Sequence, residues 1–186
     1  MIVLLLAALI AAPRPPKATP APPAETPQLS DVELRDQINT YLGTIDRPIS
    51  PDSWKALGPR AAPILEQVIS DSSQFPSRRA KAVNGLVSAA PDRAALLVGK
   101  LARDEKQPTV VRLAAMQGAG RVFPPSRTLS ELRPVLHSAR SPGLRAEAAD
   151  VISGKQGGCA EVRDQVTREK VEHRPAFDRA MKRCGE

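Results

Sequence analysis

Apolar residues recur along this chain at a spacing that predicts short helices arranged in pairs. Three segments show it most clearly: ILEQVISD, LVGKLARD and ELRPVLHS, which end at positions 71, 104 and 138. In each segment apolar residues stand six and three positions before the end, a spacing that places them on one helical face. Each segment is therefore predicted to form the second helix of a pair. The apolar residues are Leu65 and Val68, Val98 and Leu101, and Leu132 and Val135.

A second pattern repeats with a period of 33 residues. The segments PSRRAKAVNGL, PTVVRLAAMQGAG and PGLRAEAADVI each open with proline and carry an arginine followed three residues later by an alanine. We expect the alanines to let helices approach closely, and recurrence of the arginines indicates a structural role. Asp71 and Asp104 stand eight residues before an arginine, so each is expected to cap a helix start or to pair with that arginine. The arginines are Arg79, Arg112 and Arg145, and the alanines are Ala82, Ala115 and Ala148.

Together these patterns predict an all-α protein. A first helix is expected from about Ser30 to Leu42, with Ser30 as N-cap and Gly43 as stop, and Pro51 opens a short helix after Ser50. A pair of such helices cannot bury its apolar side alone, so stacked neighbours must bury one continuous core. The remaining helices are predicted over 60–71, 76–89, 91–104, 108–122, 128–138, 142–153, 159–172 and 175–184.

The stretch ALGPRAAPILEQVISD is similar to the second half of a HEAT-like repeat. The P-x-x-R-x-x-A openings resemble the first helices of the same repeats, and the likeness runs from about residue 50 to 152. The resemblance implies a right-handed α-α superhelix, a solenoid whose inner face is lined by the second helices. The spacing alone indicates only paired helices, and HEAT-like repeats serve as scaffolds for many partners. The family's L-G-x-x-A-x-P-x-L pattern is met by Leu57, Gly58, Ala61, Pro63 and Leu65.

The N-terminal part differs from the rest of the chain. Residues 1–12, MIVLLLAALIAA, are too short to span a bilayer, which takes about 20 apolar residues, but they match the apolar core of a signal peptide. No Lys or Arg precedes them, so an uncleaved hydrophobic segment and a start codon placed too far downstream stay open as alternatives. Residues 13–29 form a proline-rich linker, and a HEAT-like repeat domain covers 30–186, with a C-terminal cap over 155–186. We expect export to the periplasm, the cell envelope or the secreted space, with membrane contact only through the N-terminal segment.

Both cysteines, Cys159 and Cys184, lie in the predicted cap. An even pair in an exported protein favours a disulfide. Two antiparallel helices joined by a turn at positions 173–175 would bring the cysteines together, and the closed loop would add roughly 3 to 4 kcal/mol of stability. Two buried free thiols are the competing interpretation.

The chain carries a formal net charge of +7, and its positive charge is concentrated in the middle. Residues 76–145 hold thirteen Lys and Arg against four Asp and Glu, whereas residues 30–75 hold four against seven. If the second helices line a concave face, basic side chains outside the periodic positions could form a cationic groove there. Such a groove would bind a protein or an anionic envelope component. An ordinary solvated surface is the alternative, and the scarcity of aromatic residues argues against nucleic acid. The candidate binding residues are Arg93, Lys100, Arg103, Arg127 and Arg133.

No arrangement typical of an enzyme is found in the sequence. The two histidines, His137 and His173, lack the spacing of a metal-ligand set, so no metal and no cofactor are expected. No Gly-x-Ser-x-Gly elbow is present. We therefore predict a non-enzymatic, monomeric protein-binding or scaffold module. The alternatives are an enzyme-associated repeat protein, lyase-like or nucleic-acid-binding, that uses a basic concave surface, and a purely structural spacer.

Overall fold

The structure, a computed structural model, describes residues 29–45 and 47–185. All regular secondary structure in these residues is helical, so the predicted all-α class is confirmed. The predictions for the hydrophobic segment 1–12 and for the proline-rich linker, apart from its last residue Leu29, lie outside the described part. Every helix within the described ranges is too short or too polar to cross a membrane.

Eleven α-helices lie in the described ranges, and two short 3₁₀ segments, Pro59–Ala61 and Val171–Phe177, precede the third and the last of them. In chain order the helices are α1 (Asp31–Gly43), α2 (Pro51–Leu57), α3 (Ala62–Ser70), α4 (Pro76–Ala89), α5 (Pro91–Ala94), α6 (Val98–Arg103), α7 (Thr109–Val122), α8 (Pro125–Ser138), α9 (Pro142–Ser153), α10 (Gly158–Arg168) and α11 (Asp178–Arg183).

Helix starts follow local sequence signals. Ser30 caps α1: its Oγ accepts a hydrogen bond from the Glu33 backbone N–H, and the Glu33 carboxylate accepts one from the Ser30 N–H. This reciprocal capping box satisfies two backbone donors that the helix leaves free. Helices α2, α4, α5, α8 and α9 each begin at a proline, whose fixed φ suits the first turn of a helix.

The helix predicted over 91–104 is wrong as a single element, because a turn at 95–97 separates α5 from α6. In this turn the N–H groups of Leu96 and Leu97 donate to the carbonyls of Arg93 and Ala94, three residues back. Such bonds tighten the chain and end the regular α-helical ladder. Leu96 is turned outward as a result and is 76% exposed.

The helix boundaries of the C-terminal cap also differ from the prediction. Helix α10 ends at Arg168, four residues before the expected end at 172, and the chain continues through the 3₁₀ segment into α11. Pro175 lies in that segment. It has no backbone N–H, and its ring disfavours helical backbone at the residue before it, which favours an interruption of the α-helix there.

The helices pack in sequence around one hydrophobic core. Helix α4 packs on α7, and α7 packs on α9, while α3, α6 and α8 pack on α4, α7 and α9 respectively. Helix α2 also packs on α4, and both α10 and α11 pack on α9. Ala82, Ala115 and Ala148 are all fully buried in the core, as the repeat predicts.

Close approach between successive first helices of the pairs depends on glycine. A Cβ on Gly118 in α7 would lie 2.8 Å from Cγ2 of Val87 in α4, and a Cβ on Gly85 in α4 would lie 2.9 Å from the ring of Trp54 in α2. Both glycines follow a repeat arginine by six residues. The 33-residue period therefore places a helix-contact glycine at the same point of two units.

The recurring arginines close the end of the preceding helix. Arg79 Nε donates to the Ile69 carbonyl in the last turn of α3 at 2.9 Å, and Arg112 Nε donates to the Ala102 carbonyl in α6 at 3.0 Å. Both arginines are buried, and both satisfy carbonyl groups that a helix end leaves without an internal partner. Stacking alone explains why these two arginines recur.

Asp71 and Asp104 do not cap helix starts, so that prediction is wrong. Each follows a second helix as its C-cap residue. Asp71 accepts a hydrogen bond from the side-chain amide of Gln74 at 3.0 Å, and Asp104 accepts one from Gln107 at 2.9 Å. The carboxylates therefore shape the loop into the next unit, as Asp side chains often do in turns. The arginines donate to backbone carbonyls, and of the expected pairings the charge of Arg79 does lower the pKa of Asp71, without a hydrogen bond between the two side chains.

Cys159 and Cys184 form the expected disulfide, with their Cα atoms 5.5 Å apart. Cys159 is the second residue of α10, and Cys184 directly follows α11. The bridge joins the beginning of one cap helix to the end of the other, and this prediction is confirmed.

Candidate functional site

The five predicted binding residues all lie on the second helices of the pairs. Arg93 is on α5, Lys100 and Arg103 are on α6, and Arg127 and Arg133 are on α8. All five are exposed. Whether they form one cationic surface depends on the acidic side chains that the fold places beside them.

Ion pairs join successive second helices through two of these arginines. Arg93 makes two hydrogen bonds to the carboxylate of Glu66 on α3, at 2.9 and 2.6 Å. Arg133 donates to Glu161 on α10 at 2.7 Å. Exposed pairs of this kind contribute only about 0 to 1 kcal/mol to stability, but each carboxylate offsets the charge of its arginine.

Two further arginines converge on a single carboxylate. Arg103 forms an ion pair with Glu131 on α8. Arg127 lies 3.7 Å from the same carboxylate, stacks over the Phe123 ring at 4.0 Å, and donates to the Ala95 carbonyl at 3.1 Å. That carbonyl lies in the turn between α5 and α6, where the helical ladder is interrupted. Arg127 therefore has a structural role in holding this turn.

Lys100 differs from the four arginines because no side chain in the described residues forms an ion pair or a hydrogen bond with it. It lies on a cleft between α3 and α6 with a volume of about 680 Å³. Clefts of roughly 300 to 1,000 Å³ are the size that binds small ligands or side chains of a partner. The apolar part of the lining is formed by Pro63, Ile69, Leu97 and Leu101.

Buried polar contacts fix one end of this cleft. Arg79, held by the Ile69 carbonyl, also donates to Gln107 Oε1 at 2.7 Å, and Gln107 in turn donates to Asp104. All three polar residues line the cleft. The hydrogen bond from Gln107 is the largest effect that lowers the pKa of the Asp104 carboxyl, so this acid stays ionised while it organises the loop. The cleft thus has a fixed polar end, an apolar lining and the Lys100 ammonium, whose charge acts on Asp104 without a hydrogen bond or salt bridge between them.

Contacts between helices also shift the pKa of one carboxyl group and of one guanidinium group. The pKa of Glu161 is lowered first by its hydrogen bond with His137 and then by Arg133. The pKa of Arg93 is raised by its hydrogen bonds to Glu66. Both shifts favour the charged form of the group concerned, the Glu161 carboxylate and the Arg93 guanidinium.

Counting cations along the sequence missed the carboxylates that face them. Glu66 precedes Arg93 by 27 residues, Glu131 follows Arg103 by 28, and Glu161 follows Arg133 by 28. These separations are close to the repeat length, so acid and base occupy neighbouring units. A search for opposite charges at about one repeat apart would have found the pairs.

Within the described ranges, no group of three or more His, Cys, Asp or Glu side chains is arranged to hold a metal ion. Comparisons of the chain with protein-family models, with curated proteins and with solved structures give no match.

Proposed function

We propose that this chain is an exported, HEAT-like solenoid that binds a protein partner without catalysis, and that the cleft between α3 and α6 is the contact point. The observation that carries this proposal is the cleft itself: four apolar residues beside the exposed Lys100 ammonium, which interacts with Asp104 through its charge but forms no hydrogen bond or salt bridge in the described part of the chain. Fixed polar side chains at one end keep its shape. A partner of matching chemistry is an extended peptide segment with an aliphatic side chain next to a carboxylate.

Two features support the solenoid and export parts of the proposal. Successive helices contact the next pair along the chain, which is the arrangement that HEAT-like repeats need for a shared core. The disulfide favours an oxidising compartment, where such bonds persist.

Charge pairing on the second helices favours a protein over an extended anionic polymer at this surface. Four of the five candidate cations already contact carboxylates, so a polyanion would have to displace them. A protein segment that needs only apolar contact and one cation outside any salt bridge does not have to displace these carboxylates.

The test is a selection of displayed peptides on the wild-type protein, followed by affinity measurements on three variants. Ser70→Trp fills the cleft from its edge, and Lys100→Glu reverses its free charge. Ser130→Trp is the matched control, because the hydroxyls of Ser70 and Ser130 each donate to a carbonyl three residues earlier at 3.0 Å, and Ser130 does not line the cleft. All three residues are exposed, so the core is undisturbed.

Ser70→Trp is expected to weaken the selected peptides by about tenfold or more, equivalent to about 1.4 kcal/mol, and Ser130→Trp to leave their affinity unchanged. Lys100→Glu is expected to weaken most the peptides that carry a carboxylate. Peptides that bind Ser70→Trp as tightly as the wild type would contradict the assignment of the cleft, and a library that yields no binder would contradict peptide recognition.

A further inference from the structure

A second cleft lies between the end of α8 and the end of α10, and its volume is about 540 Å³. It occupies the same place in its unit as the α3–α6 cleft, between the C-terminal ends of two second helices and beside a repeat arginine. Its lining is cationic rather than apolar. The basic groups are Arg140, Arg145, Arg168, Lys170 and the chain's two histidines.

The loop that leads into this cleft departs from the repeat. In the two preceding units an aspartate C-cap stands eight residues before the arginine, and it organises the loop through a glutamine. After α8 the C-cap residue is Ala139, and Arg145 follows only six residues later. Arg140 stands next to Ala139 in the shortened loop. The acidic group of the earlier loops is therefore replaced by a basic one at this point.

Glu169 is the carboxylate that lines the cleft, and its negative charge is paired with that of Arg145. Arg145 donates to its two oxygens from Nε at 2.5 Å and from a terminal nitrogen at 2.6 Å, and Gln165 donates to it at 2.7 Å. The Glu169 side chain is 3% exposed. It orients Arg145, and because its charge is paired and buried it does not repel an incoming anion.

Two cations of the cleft have no such compensation. The side chains of Arg140 and Lys170 form no hydrogen bond or ion pair within residues 29–45 and 47–185. Arg168 pairs with Asp164 at 2.6 Å, but both side chains are largely exposed, and helical pairs of this type contribute only about 0.3 to 0.5 kcal/mol. The positive end of the α9 helix adds to the field, because its first residue, Pro142, lines the same cleft.

The two histidines of the cleft differ in their hydrogen bonding. His137 has both ring nitrogens engaged, Nδ1 with Gln165 at 2.8 Å and Nε2 with Glu161 at 3.1 Å. His173 Nδ1 lies 3.8 Å from a carboxylate oxygen of Glu169 and forms no hydrogen bond. The cationic side chains of the cleft without a hydrogen bond or ion pair in the described residues are thus Arg140 and Lys170, and the His173 ring also lines the cleft without a hydrogen bond at Nδ1.

We propose that this cleft binds a phosphoryl group, with Arg140, Lys170 and Arg168 as the contacting residues. Arg145 is a further cation of the site, which Glu169 holds in place. A phosphate ester carries about −1.5 to −2 charges at neutral pH and three acceptor oxygens, which matches several converging donors better than the single charge of a carboxylate does. The planar guanidinium groups suit two-point contact with such oxygens. This site is separate from the α3–α6 cleft and does not depend on the function proposed for it.

Calorimetric titration of the folded, disulfide-bonded protein tests the proposal with two probes. One probe is pyrophosphate in solution at about 150 mM salt, and the other is phosphatidylcholine vesicles with and without phosphatidic acid. The probes distinguish a free phosphate from a lipid headgroup as the source of the same chemistry. Binding to pyrophosphate identifies a soluble ligand, and binding only to phosphatidic acid vesicles identifies the headgroup; either result supports the site if it needs the cleft residues.

The variant Arg140→Gln/Lys170→Gln removes the two cations without partners and is expected to weaken binding about tenfold or more. The variant Arg35→Gln/Lys106→Gln makes the same change of net charge at exposed positions outside the cleft, and its affinity should equal that of the wild type. Equal binding by the cleft variant would overturn the proposal, and so would an equal loss in the control variant, because the attraction would then be unspecific. Failure of both probes to bind the wild type would also overturn it.

Discussion

Replacing Cys159 and Cys184 together by alanine should lower the free energy of unfolding by about 3.5 kcal/mol at 25 °C. The two residues are 25 apart in sequence, and the chain entropy that a bridge removes from the unfolded state grows with the logarithm of the loop it closes. For a urea slope of about 2 kcal/mol/M this corresponds to a fall of about 2 M in the unfolding midpoint.

The bridge acts beside other contacts of the cap, among them ion pairs of Arg179 and Arg183 with Asp150 on α9 at 3.5 and 3.2 Å. Helix α11 packs on α9 and α10, and its main apolar anchor is Phe177 just before it, which is fully buried. Burying such a side chain contributes about 1.5 to 3 kcal/mol, which is comparable to the bridge. The disulfide therefore supplies as much stability as the largest hydrophobic contact of the cap.

The assay is urea unfolding of the oxidised wild type, the reduced wild type and the double alanine variant. Circular dichroism follows all helices, and the single tryptophan, Trp54 in α2, reports on the opposite end of the chain. Reduced wild type and variant should unfold at the same lowered midpoint. A variant midpoint within about 0.3 M of the oxidised wild type, at an unchanged slope, would refute the reasoning, since the cap would then be held by its packing alone.

The other predictions concern a helix junction and the acid range. Gly158→Ala should lower the free energy of unfolding by about 2 kcal/mol or more, because the new Cβ would lie 1.8 Å from the Ile152 carbonyl oxygen. Gly154→Ala is the control, since nothing lies within 4 Å of its Cβ. Equal thermal midpoints for the two variants would contradict this expectation. Stability should also fall between about pH 5 and pH 3, because hydrogen bonds in the folded state lower the pKa of several carboxyl groups, and this contribution is lost once they are protonated. A urea unfolding midpoint that increases as the pH is lowered from 5 to 3 would contradict this prediction. The carboxyl groups are Glu33, Asp71, Asp104, Glu161 and Glu169.

Most of the helices could be predicted because their causes are local. The proline openings, the capping box at Ser30 and the apolar spacing of the second helices are each set by residues within a turn or two of one another. The buried alanines at 33-residue intervals follow from the same periodicity. The break between α5 and α6 could not be predicted this way, since the Ala95 carbonyl in it bonds Arg127, a residue 32 positions away.

The candidate site was predictable only in part, for a related reason. The sequence indicates which second helices carry cations, and the five predicted residues do lie on α5, α6 and α8. Their net effect depends on carboxylates that arrive from the neighbouring unit, such as Glu66 beside Arg93 and Glu161 beside Arg133. Helix periodicity contains no information about such cross-unit pairs, so four of the five cations were counted as free.

Departures from the repeat carry more functional information than the repeat does. Arg79 and Arg112 both bond a carbonyl at the end of the preceding helix, and Arg79 also donates to Gln107 at one end of the α3–α6 cleft. Arg145 also bonds a carbonyl at the end of the preceding helix, but two of its guanidinium nitrogens donate to Glu169. The loop before it has Ala139 at the position that an aspartate occupies in the two earlier loops. Stacking requires neither change, because the two earlier units close their helices without them. The loss of regularity at this one unit leaves two cations without partners beside a cleft, and that is the reason for proposing a ligand site there.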